Sequence, residues 1–225
     1  MLIFLHVDNL VFIDFIGVNS GVFPLTANIT VIPVYTENGI TCTGPSQLFN
    51  VTVNGNIDPK PTISDYNGYQ ISCFEANDGF INLSPEGGTP NDSEPFYFYE
   101  WTGPNNFSSN NQNIENLEPG IYNLTISDSL NCSFDFEYEI IEPELLEIFI
   151  DEQSDVQCNG VYDGIISVSA VGGTAPYSYE WTKDGLFFSD QQNINNLEPG
   201  IYVLFLNDAN ECGPISQIFE IVQPD

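Results

Sequence analysis

The sequence predicts an all-β protein made of tandem β-sandwich domains, and three observations lead to this prediction. Its 225 residues include 17 Phe and 11 Tyr, and aromatic residues together with Val, Ile and Thr are typical of strands. Apolar and polar residues alternate along several short segments, as they do in half-buried strands. The hexapeptide LEPGIY occurs at residues 117–122 and again at 197–202, which indicates a duplicated building block.

The duplication extends over most of the chain. CFEANDGFINL from residue 73 aligns with CNGVYDGIISV from residue 158, and YEWT occurs at residues 99 and 179. A unit of roughly 80 residues is too long for a solenoid repeat and suits a small domain that folds alone. We therefore predict one domain at residues 69–145 and a second at residues 146–225.

Residues 1–68 have a different pattern. LTANITVIPVY and SQLFNVTVNG predict two strands around a turn with Cys42, so residues 1–58 are interpreted as the last part of another sandwich and residues 59–68 as a linker. The apolar start lacks the basic residues of a signal peptide and is interrupted by two aspartates. We expect the chain to be a piece of a longer protein.

The repeated LEPGIY resembles the tyrosine corner of immunoglobulin-like and fibronectin-like sandwiches, in which a Tyr hydroxyl bonds back to nearby backbone. The predicted corner residues are Pro119, Gly120, Tyr122, Pro199, Gly200 and Tyr202. Trp101 and Trp181 follow tyrosines with a period of two and are predicted core residues. The alternative, a carbohydrate-binding aromatic stripe, is less common for inward-facing aromatics. The predicted fold class is therefore tandem immunoglobulin-like sandwiches of the PKD or fibronectin kind.

The chain has five cysteines and no C-x-x-C pair. We predict the disulfides Cys73–Cys132 and Cys158–Cys212, each within one domain, and leave Cys42 unpaired. Such bonds would indicate an oxidising, extracellular compartment. Free thiols in a cytosolic protein are the alternative.

The charge balance excludes several classes of partner. The sequence holds 32 acidic residues, two lysines and no arginine, for a formal net charge of -30. Nucleic-acid binding needs a cationic surface, and anionic membrane surfaces would repel this chain, so we expect neither nucleic acid nor direct membrane insertion. A solvated acidic surface is the simplest interpretation.

The acidic residues suggest calcium as a cofactor, because carboxylate oxygens are its preferred ligands. The sequence indicates no other cofactor. Four aspartates occupy equivalent turns of the two copies: Asp78, Asp128, Asp163 and Asp208. No EF-hand spacing is present, and aspartates also form turns through bonds to their own backbone, which is the more common role. With one histidine and no C-x-x-C pair, the sequence predicts no zinc or iron–sulfur site. No nucleophile–base set points to an enzyme, and only a carboxylate pair remains as an option.

The combined pattern C-x-x-x-x-D-G-x-I, G-G-T, P-Y-x-Y-x-W, N-L-x-P-G-x-Y and D-x-x-x-C resembles the SprB repeat of large surface adhesins of gliding bacteria. Copy one departs from it with Phe96 in place of the usual proline. The resemblance implies a cell-surface or extracellular location and an adhesive or spacer role, and it offers no catalytic residues. Asn123 begins an N-x-S/T triplet, and the segment around Ser129 resembles a short O-glycosylation motif of the same bacteria, so both are candidate glycosylation sites.

Together these observations predict a non-enzymatic extracellular protein, part of a long tandem-repeat adhesin or stalk. Its expected partners are neighbouring repeats or copies of itself, with surface glycans or other cells as further candidates. The alternative is a self-assembling fibre subunit joined by strand exchange, with the apolar segment from Leu2 to Ile16 as the donor strand.

Overall fold

The computed structural model describes residues 17–224. They form a small N-terminal unit followed by two β-sandwiches, called sandwich 1 and sandwich 2, in which all paired strands run antiparallel. The described residues contain one short 3-10 helix, at Pro104–Asn106, and no α-helix. The predicted all-β class and the immunoglobulin-like sandwich architecture are confirmed.

The N-terminal unit consists of two separate ribbons. Its strands are β1 (Leu25–Val31), β2 (Val34–Glu37), β3 (Ile40–Thr43) and β4 (Gln47–Val53). β1 pairs with β4, and β2 pairs with β3. Ile29 is buried, whereas Leu25, Leu48 and Phe49 of the β1–β4 ribbon are exposed. Within the described residues, the β1–β4 ribbon has no second sheet against which to bury its apolar face.

Sandwich 1 begins earlier than the sequence suggested. Its strands are β5 (Ile57–Asp58), β6 (Pro61–Ile63), β7 (Gly79–Leu83), β8 (Glu86–Gly87), β9 (Phe98–Thr102), β10 (Ser108–Ser109), β11 (Ile114–Leu117), β12 (Gly120–Ser127) and β13 (Ser133–Ile140). One sheet has the order β6-β7-β11, the other has the order β10-β9-β12-β13, and β5 pairs with β8. Residues 57–63 thus supply the first strands, and Ile57 belongs to the core. Sandwich 1 therefore begins at about residue 57, and not at residue 69 as predicted. Lys60 and Pro61 are typical of a linker, so the sequence does not show that this segment pairs as strands.

Sandwich 2 repeats this arrangement. They are β14 (Glu147–Ser154), β15 (Gly164–Val171), β16 (Ser178–Lys183), β17 (Leu186–Ser189), β18 (Ile194–Leu197), β19 (Gly200–Asn207) and β20 (Ile215–Ile221). The sheet β14-β15-β18 faces the sheet β17-β16-β19-β20. The same strand order in both copies explains why the sequence motifs recur at equivalent places.

Alternating side chains build each core. On β12, Tyr122, Leu124 and Ile126 are buried, while Asn123 between them is exposed. Complete burial of an aliphatic side chain of this size contributes about 1.5–3 kcal/mol. Trp101 and Trp181 have no exposed surface, so the two tryptophans form cores and not a carbohydrate-binding stripe.

Both tyrosine corners are formed. The Tyr122 hydroxyl donates a hydrogen bond to the Glu118 carbonyl oxygen at 3.1 Å, and Tyr202 donates to the Glu198 carbonyl oxygen at 3.0 Å. The Pro-Gly dipeptide between these residues reverses the chain and brings the phenol back over its own turn. LEPGIY therefore recurs because each sandwich needs this corner.

Candidate functional site at the junction of the two sandwiches

The two cysteine-bearing turns of a sandwich lie at opposite ends of its strands. Cys73 precedes β7, and close to it the Ile71 N–H donates to the Ile141 carbonyl just beyond the end of β13, at 3.2 Å. Cys132 lies before the other end of β13, in the turn from β12. The eight residues of β13 separate these ends by about 27 Å, whereas the Cα atoms of bridged cysteines lie within about 7 Å of each other.

The disulfide joins the two sandwiches instead of closing one of them. Cys73 of sandwich 1 is bonded to Cys212 of sandwich 2, with 5.5 Å between their Cα atoms. The predicted bonds Cys73–Cys132 and Cys158–Cys212 are therefore wrong, because each would have to span a whole sandwich. Cys132 and Cys158 are free and exposed, and so is Cys42.

Asn210, two residues before the bridging cysteine, connects the same turn to sandwich 1. Its amide nitrogen lies 3.2 Å from the Tyr66 carbonyl oxygen and 3.1 Å from the Ser72 carbonyl oxygen. Its amide oxygen accepts a hydrogen bond from Asn67 at 2.6 Å. The nitrogen also lies 3.2 Å from the Thr174 hydroxyl of its own sandwich. A side chain with both donors and an acceptor can satisfy backbone and side-chain groups across the junction.

Asp208 shapes the turn that carries Asn210 and Cys212. Its buried carboxylate accepts N–H hydrogen bonds from Asn210 at 3.0 Å, from Cys212 at 2.8 Å and from Thr174 at 2.8 Å. Hydrogen bonds from backbone N–H groups to an ionised carboxylate are charge-assisted and therefore strong. They hold the backbone of the turn at Cys212 in place.

Asp128 makes the same set of bonds in sandwich 1. Its carboxylate accepts from the N–H groups of Leu130, Cys132 and Thr89 at 3.0, 2.9 and 2.9 Å. The turn at Cys132 is therefore the structural counterpart of the turn at Cys212. It differs at Leu130, an exposed residue that stands where sandwich 2 has Asn210.

Asp78 and Asp163 hold the other cysteine-bearing turn. Asp78 accepts the Ser72 N–H and Asp163 accepts the Gln157 N–H, each at 3.0 Å. Within residues 17–224, no cluster of three or more His, Cys, Asp or Glu side chains is arranged to hold a metal ion. The four aspartates named as calcium candidates are thus spread over four turns, and each carboxylate accepts backbone N–H groups there.

A glycine allows the chain to pass closely from one sandwich to the next. Gly172 has a φ of +70°, and a Cβ there would collide with the Leu145 carbonyl oxygen. The neighbouring Gly173 N–H donates to the Glu144 carbonyl oxygen at 2.8 Å. Gly87 repeats this contact with the backbone that enters sandwich 1, at a φ of +85°. The G-G-T motif therefore serves the junction, since a side chain at the first glycine would push the linker away.

The junction between the N-terminal unit and sandwich 1 is built differently. Asn54 donates to the Thr89 hydroxyl at 2.6 Å, and the Asn56 N–H donates to the Gly21 carbonyl at 2.8 Å. No disulfide crosses this junction in the described part of the chain.

Both lysines are engaged in ion pairs. Lys60 Nζ lies 2.6 Å from Glu86 Oε1, and Lys183 pairs with Glu198 while its ammonium lies 5.5 Å from the centre of the Tyr202 ring. With both cations paired, the surface offers an anionic field to any partner.

The two candidate glycosylation sites lie on the surface of sandwich 1. Asn123 projects outward from β12, and Ser129 lies in the turn at Cys132. The Ser129 hydroxyl donates to the Thr89 carbonyl oxygen at 2.7 Å. Modification of Ser129 would have to replace that bond.

The fold and its junction define a class of protein: tandem immunoglobulin-like sandwiches linked end to end by a disulfide. Residues 69–106 and 150–185 match the SprB repeat family, one segment in each sandwich. Two segments of the chain thus match the SprB repeat, as the sequence motifs predicted. This match is to a repeat of a non-enzymatic kind, and it includes Cys73 and Cys158 but ends before the corners and before Cys132 and Cys212.

Two solved structures are similar to the chain at low identity. One contains three N-terminal domains of the bacteriophage RB49 Highly Immunogenic Outer Capsid protein (Hoc), at 15% identity and a TM-score of 0.47, with 75% of this chain and 59% of that chain covered. The chain thus spans 59% of the length of that structure. The other is extracellular domains 3–5 of Drosophila OTK, at 13% identity and a TM-score of 0.38, with 80% and 69% covered. The comparison with curated proteins gave no match.

Residues 17–224 contain no helix that is long and apolar enough to cross a membrane.

Proposed function

We propose that this chain is part of an extracellular tandem-repeat adhesin or stalk on a bacterial surface, with no catalytic activity. The observation that carries the proposal is the Cys73–Cys212 disulfide, which ties consecutive repeats to each other. Disulfides persist in oxidising compartments and are rare in the cytosol. A stalk that extends away from the cell needs rigid junctions between its domains, because flexible junctions would allow the array to bend back on itself.

The residues that the two copies share support this role. Corner tyrosines, core tryptophans, turn aspartates and junction glycines all serve the scaffold. Neighbouring repeats are the first partners of each sandwich, and surface glycans or other cells are the proposed targets of the complete array. We assign the four turn aspartates to turn formation and propose no calcium requirement.

Electron microscopy of the oxidised chain, with the mass in solution measured alongside, tests this proposal. We expect monomers in which the two sandwiches keep one relative orientation. A Cys73→Ser, Cys212→Ser chain should show a broader distribution of that orientation, with the Cys158→Ser chain as the matched control. An unchanged distribution in the double variant would contradict a role of the disulfide in fixing the array.

A fibre subunit is the second candidate, and the exposed β1–β4 ribbon favours it. Leu25, Leu48 and Phe49 are 59%, 65% and 46% exposed, and an open sheet edge can accept a strand from another chain. The proposed donor, Leu2 to Ile16, lies outside the described residues. Long regular filaments in the same images would favour this candidate, and single particles at monomer mass would favour the stalk.

Glycosylation at Asn123 or Ser129 is proposed as a surface modification of this array. An intact mass of protein from its natural host that exceeds the sequence mass, with the excess lost in Ser129→Ala or Asn123→Gln, would support it. A mass equal to that of the bare sequence would exclude both sites.

A further inference from the structure

Cys158, in the turn before β15, is unpaired. The equivalent residue of sandwich 1, Cys73, forms the disulfide with Cys212. Cys158 precedes β15 as Cys73 precedes β7. The turn that follows is the same, since the Val161 N–H donates to the Cys158 carbonyl at 3.1 Å and the Ala76 N–H donates to the Cys73 carbonyl at 3.0 Å. Cys158 is exposed and free.

The backbone on both sides of Cys158 is held as it is at the bonded position. The Gln157 N–H donates to Asp163 at 3.0 Å, and the Val156 N–H donates to the Val222 carbonyl at 3.0 Å. The equivalent bonds of sandwich 1 join Ser72 to Asp78 and Ile71 to Ile141. The thiol is therefore presented at the end of sandwich 2 in the way that Cys73 is presented to sandwich 2.

The matching half of the bond is also unpaired, at the opposite end of sandwich 1. Cys132 is free and exposed, and Asp128 fixes its turn with the same three N–H bonds that Asp208 makes around Cys212. Each repeat thus carries one half of the junction at each end. The bond seen between the two sandwiches is the one place in the described chain where two such halves meet.

We propose that Cys158 forms a disulfide with the turn cysteine of a further SprB repeat, the residue equivalent to Cys212, when that repeat docks on the end of sandwich 2. The proposal rests on the proposed function, in which the chain works within a repeat array. Continuity with the observed interface selects this occupant, because its other half is a turn that both repeats already form. In sandwich 2, residues 155–157 lead directly from β14 to Cys158, without a turn like that of residues 66–69, so the disulfide would be the principal link.

The bond forms by exchange with a small-molecule disulfide such as oxidised glutathione. The Cys158 thiolate attacks one sulfur of that disulfide and releases one thiol. The thiolate of the incoming cysteine then attacks the mixed disulfide and releases the second thiol. Two protein thiols lose two protons and two electrons, and one small-molecule disulfide is reduced to two thiols.

The test is an extended chain in which a second copy of residues 145–225 follows Asp225. This register is chosen because Ile221 is equivalent to Ile140, so that Asp225 is equivalent to Glu144. Ser216, an exposed residue of β20, is changed to Thr in the added copy to label its Cys212 peptide by mass. The protein is oxidised with glutathione, alkylated and digested after glutamate without reduction.

We expect a peptide that links Cys158 to the labelled Cys212, beside the Cys73–Cys212 peptide. Thiol titration should give three free thiols, as in the present chain. Cys158→Ser in the extended chain should abolish the linked peptide and leave the Cys73–Cys212 bond intact. Apart from the Ser216→Thr label, the added copy has the sequence of sandwich 2, and amide protection of its labelled β20 checks that it has folded.

An alkylated Cys158 in a folded extended chain, with two more free thiols than expected, would overturn the proposal. If images of that chain still show sandwiches in fixed end-to-end orientation, the stalk function stands without this bond. If the observed Cys73–Cys212 bond also proves irrelevant to orientation, the proposed function itself fails.

Discussion

At the scale of single residues, Tyr138 and Tyr122 have opposite energetic roles. Tyr138 packs against Trp101 with its ring centroid at 5.8 Å, and its hydroxyl is buried without a hydrogen-bond partner among the described residues. Sandwich 2 has Phe219 at the equivalent place, packed against Trp181 at 5.3 Å. The phenol oxygen of Tyr138 thus adds desolvation cost and no bond.

We predict that Tyr138→Phe raises the free energy of unfolding of sandwich 1 by about 1 kcal/mol, because the cost of burying an unsatisfied polar group disappears. Tyr122→Phe, which removes the bond to the Glu118 carbonyl, should lower it by about 1 kcal/mol. Denaturant titrations of the two variants measure both effects. A loss of stability in Tyr138→Phe comparable with that in Tyr122→Phe would show that the Tyr138 hydroxyl has a partner.

Asp208 is the residue on which the junction turn depends. We predict that Asp208→Asn lowers the free energy of unfolding of sandwich 2 by about 1.5–3 kcal/mol, because an amide cannot accept three N–H bonds through both of its terminal atoms. Amide hydrogen exchange of β19 and β20 measures this loss. Asp184→Asn, at an exposed turn position, is the control and should have little effect. If calcium stabilises the wild type but not Asp208→Asn, the residue is a calcium ligand and our assignment is wrong.

At the scale of strands and sheets, the two tyrosines whose pKa burial raises to about 12 both lie in sandwich 1. Burial raises the pKa of Tyr99 to about 12, with a further contribution from Tyr97. Burial likewise raises the pKa of Tyr138 to about 12, helped by the charge of Asp58. Both residues belong to sandwich 1, and Phe219 replaces Tyr138 in sandwich 2.

A raised tyrosine pKa means that the folded state favours the neutral phenol. The stability that it contributes is complete below the unfolded pKa of about 10 and is lost as the pH rises toward about 12. We predict that sandwich 1 unfolds before sandwich 2 in this window and that Tyr138→Phe moves its alkaline midpoint upward. Near-ultraviolet circular dichroism against pH measures the midpoint. A midpoint that Tyr138→Phe leaves unchanged would contradict this account.

The elements also show which parts of the structure the sequence could predict. The corner and the alternating strand at Tyr122 follow from local rules, a Pro-Gly turn and a period of two, and the structure has both. The first strands of sandwich 1 were missed because Lys60 and Pro61 suggest a linker, while their pairing partner β7 lies some 20 residues further along the chain. The motifs that the two copies share do not mark Asn210 or Gly172 as a junction residue.

The disulfide was mispredicted for a reason of topology. Two cysteines within one repeat look like natural partners, because the loop between them is short and lies inside a single folding unit. In this strand order, however, the turn before β7 and the turn after β12 lie at opposite ends of the sandwich. Aligning the two copies does not reveal this. The alignment shows which residues of the two repeats are equivalent, but not which end of one sandwich contacts the other sandwich. The two turns differ at one telling position, where sandwich 1 has Leu130 and sandwich 2 has Asn210. This difference is the local signal that the two turns have different surroundings.

At the scale of the whole molecule, the Cys73–Cys212 bond changes how the chain would carry tension. The bonded cysteines are 139 positions apart, and the segment between them contains most of both sandwiches. Tension applied at the two ends would pass from Cys73 directly to Cys212 through the sulfur atoms. The segment between them would be shielded from the force, so that even an unfolded sandwich could not lengthen the molecule there.

We predict that single-molecule stretching of the oxidised chain lacks the extension that this segment can supply. Reduction, or the Cys73→Ser, Cys212→Ser variant, should add roughly 470 Å at about 3.4 Å for each of the 139 positions. Cys158→Ser removes a free thiol and should leave the oxidised extension unchanged. If the oxidised chain extends as far as the reduced one, the bond does not lie in the path of the force. If the difference is found, covalent bonds at the junctions limit how far a stalk of such repeats can be stretched. The stability of each sandwich then determines the shape of the stalk more than its length under tension.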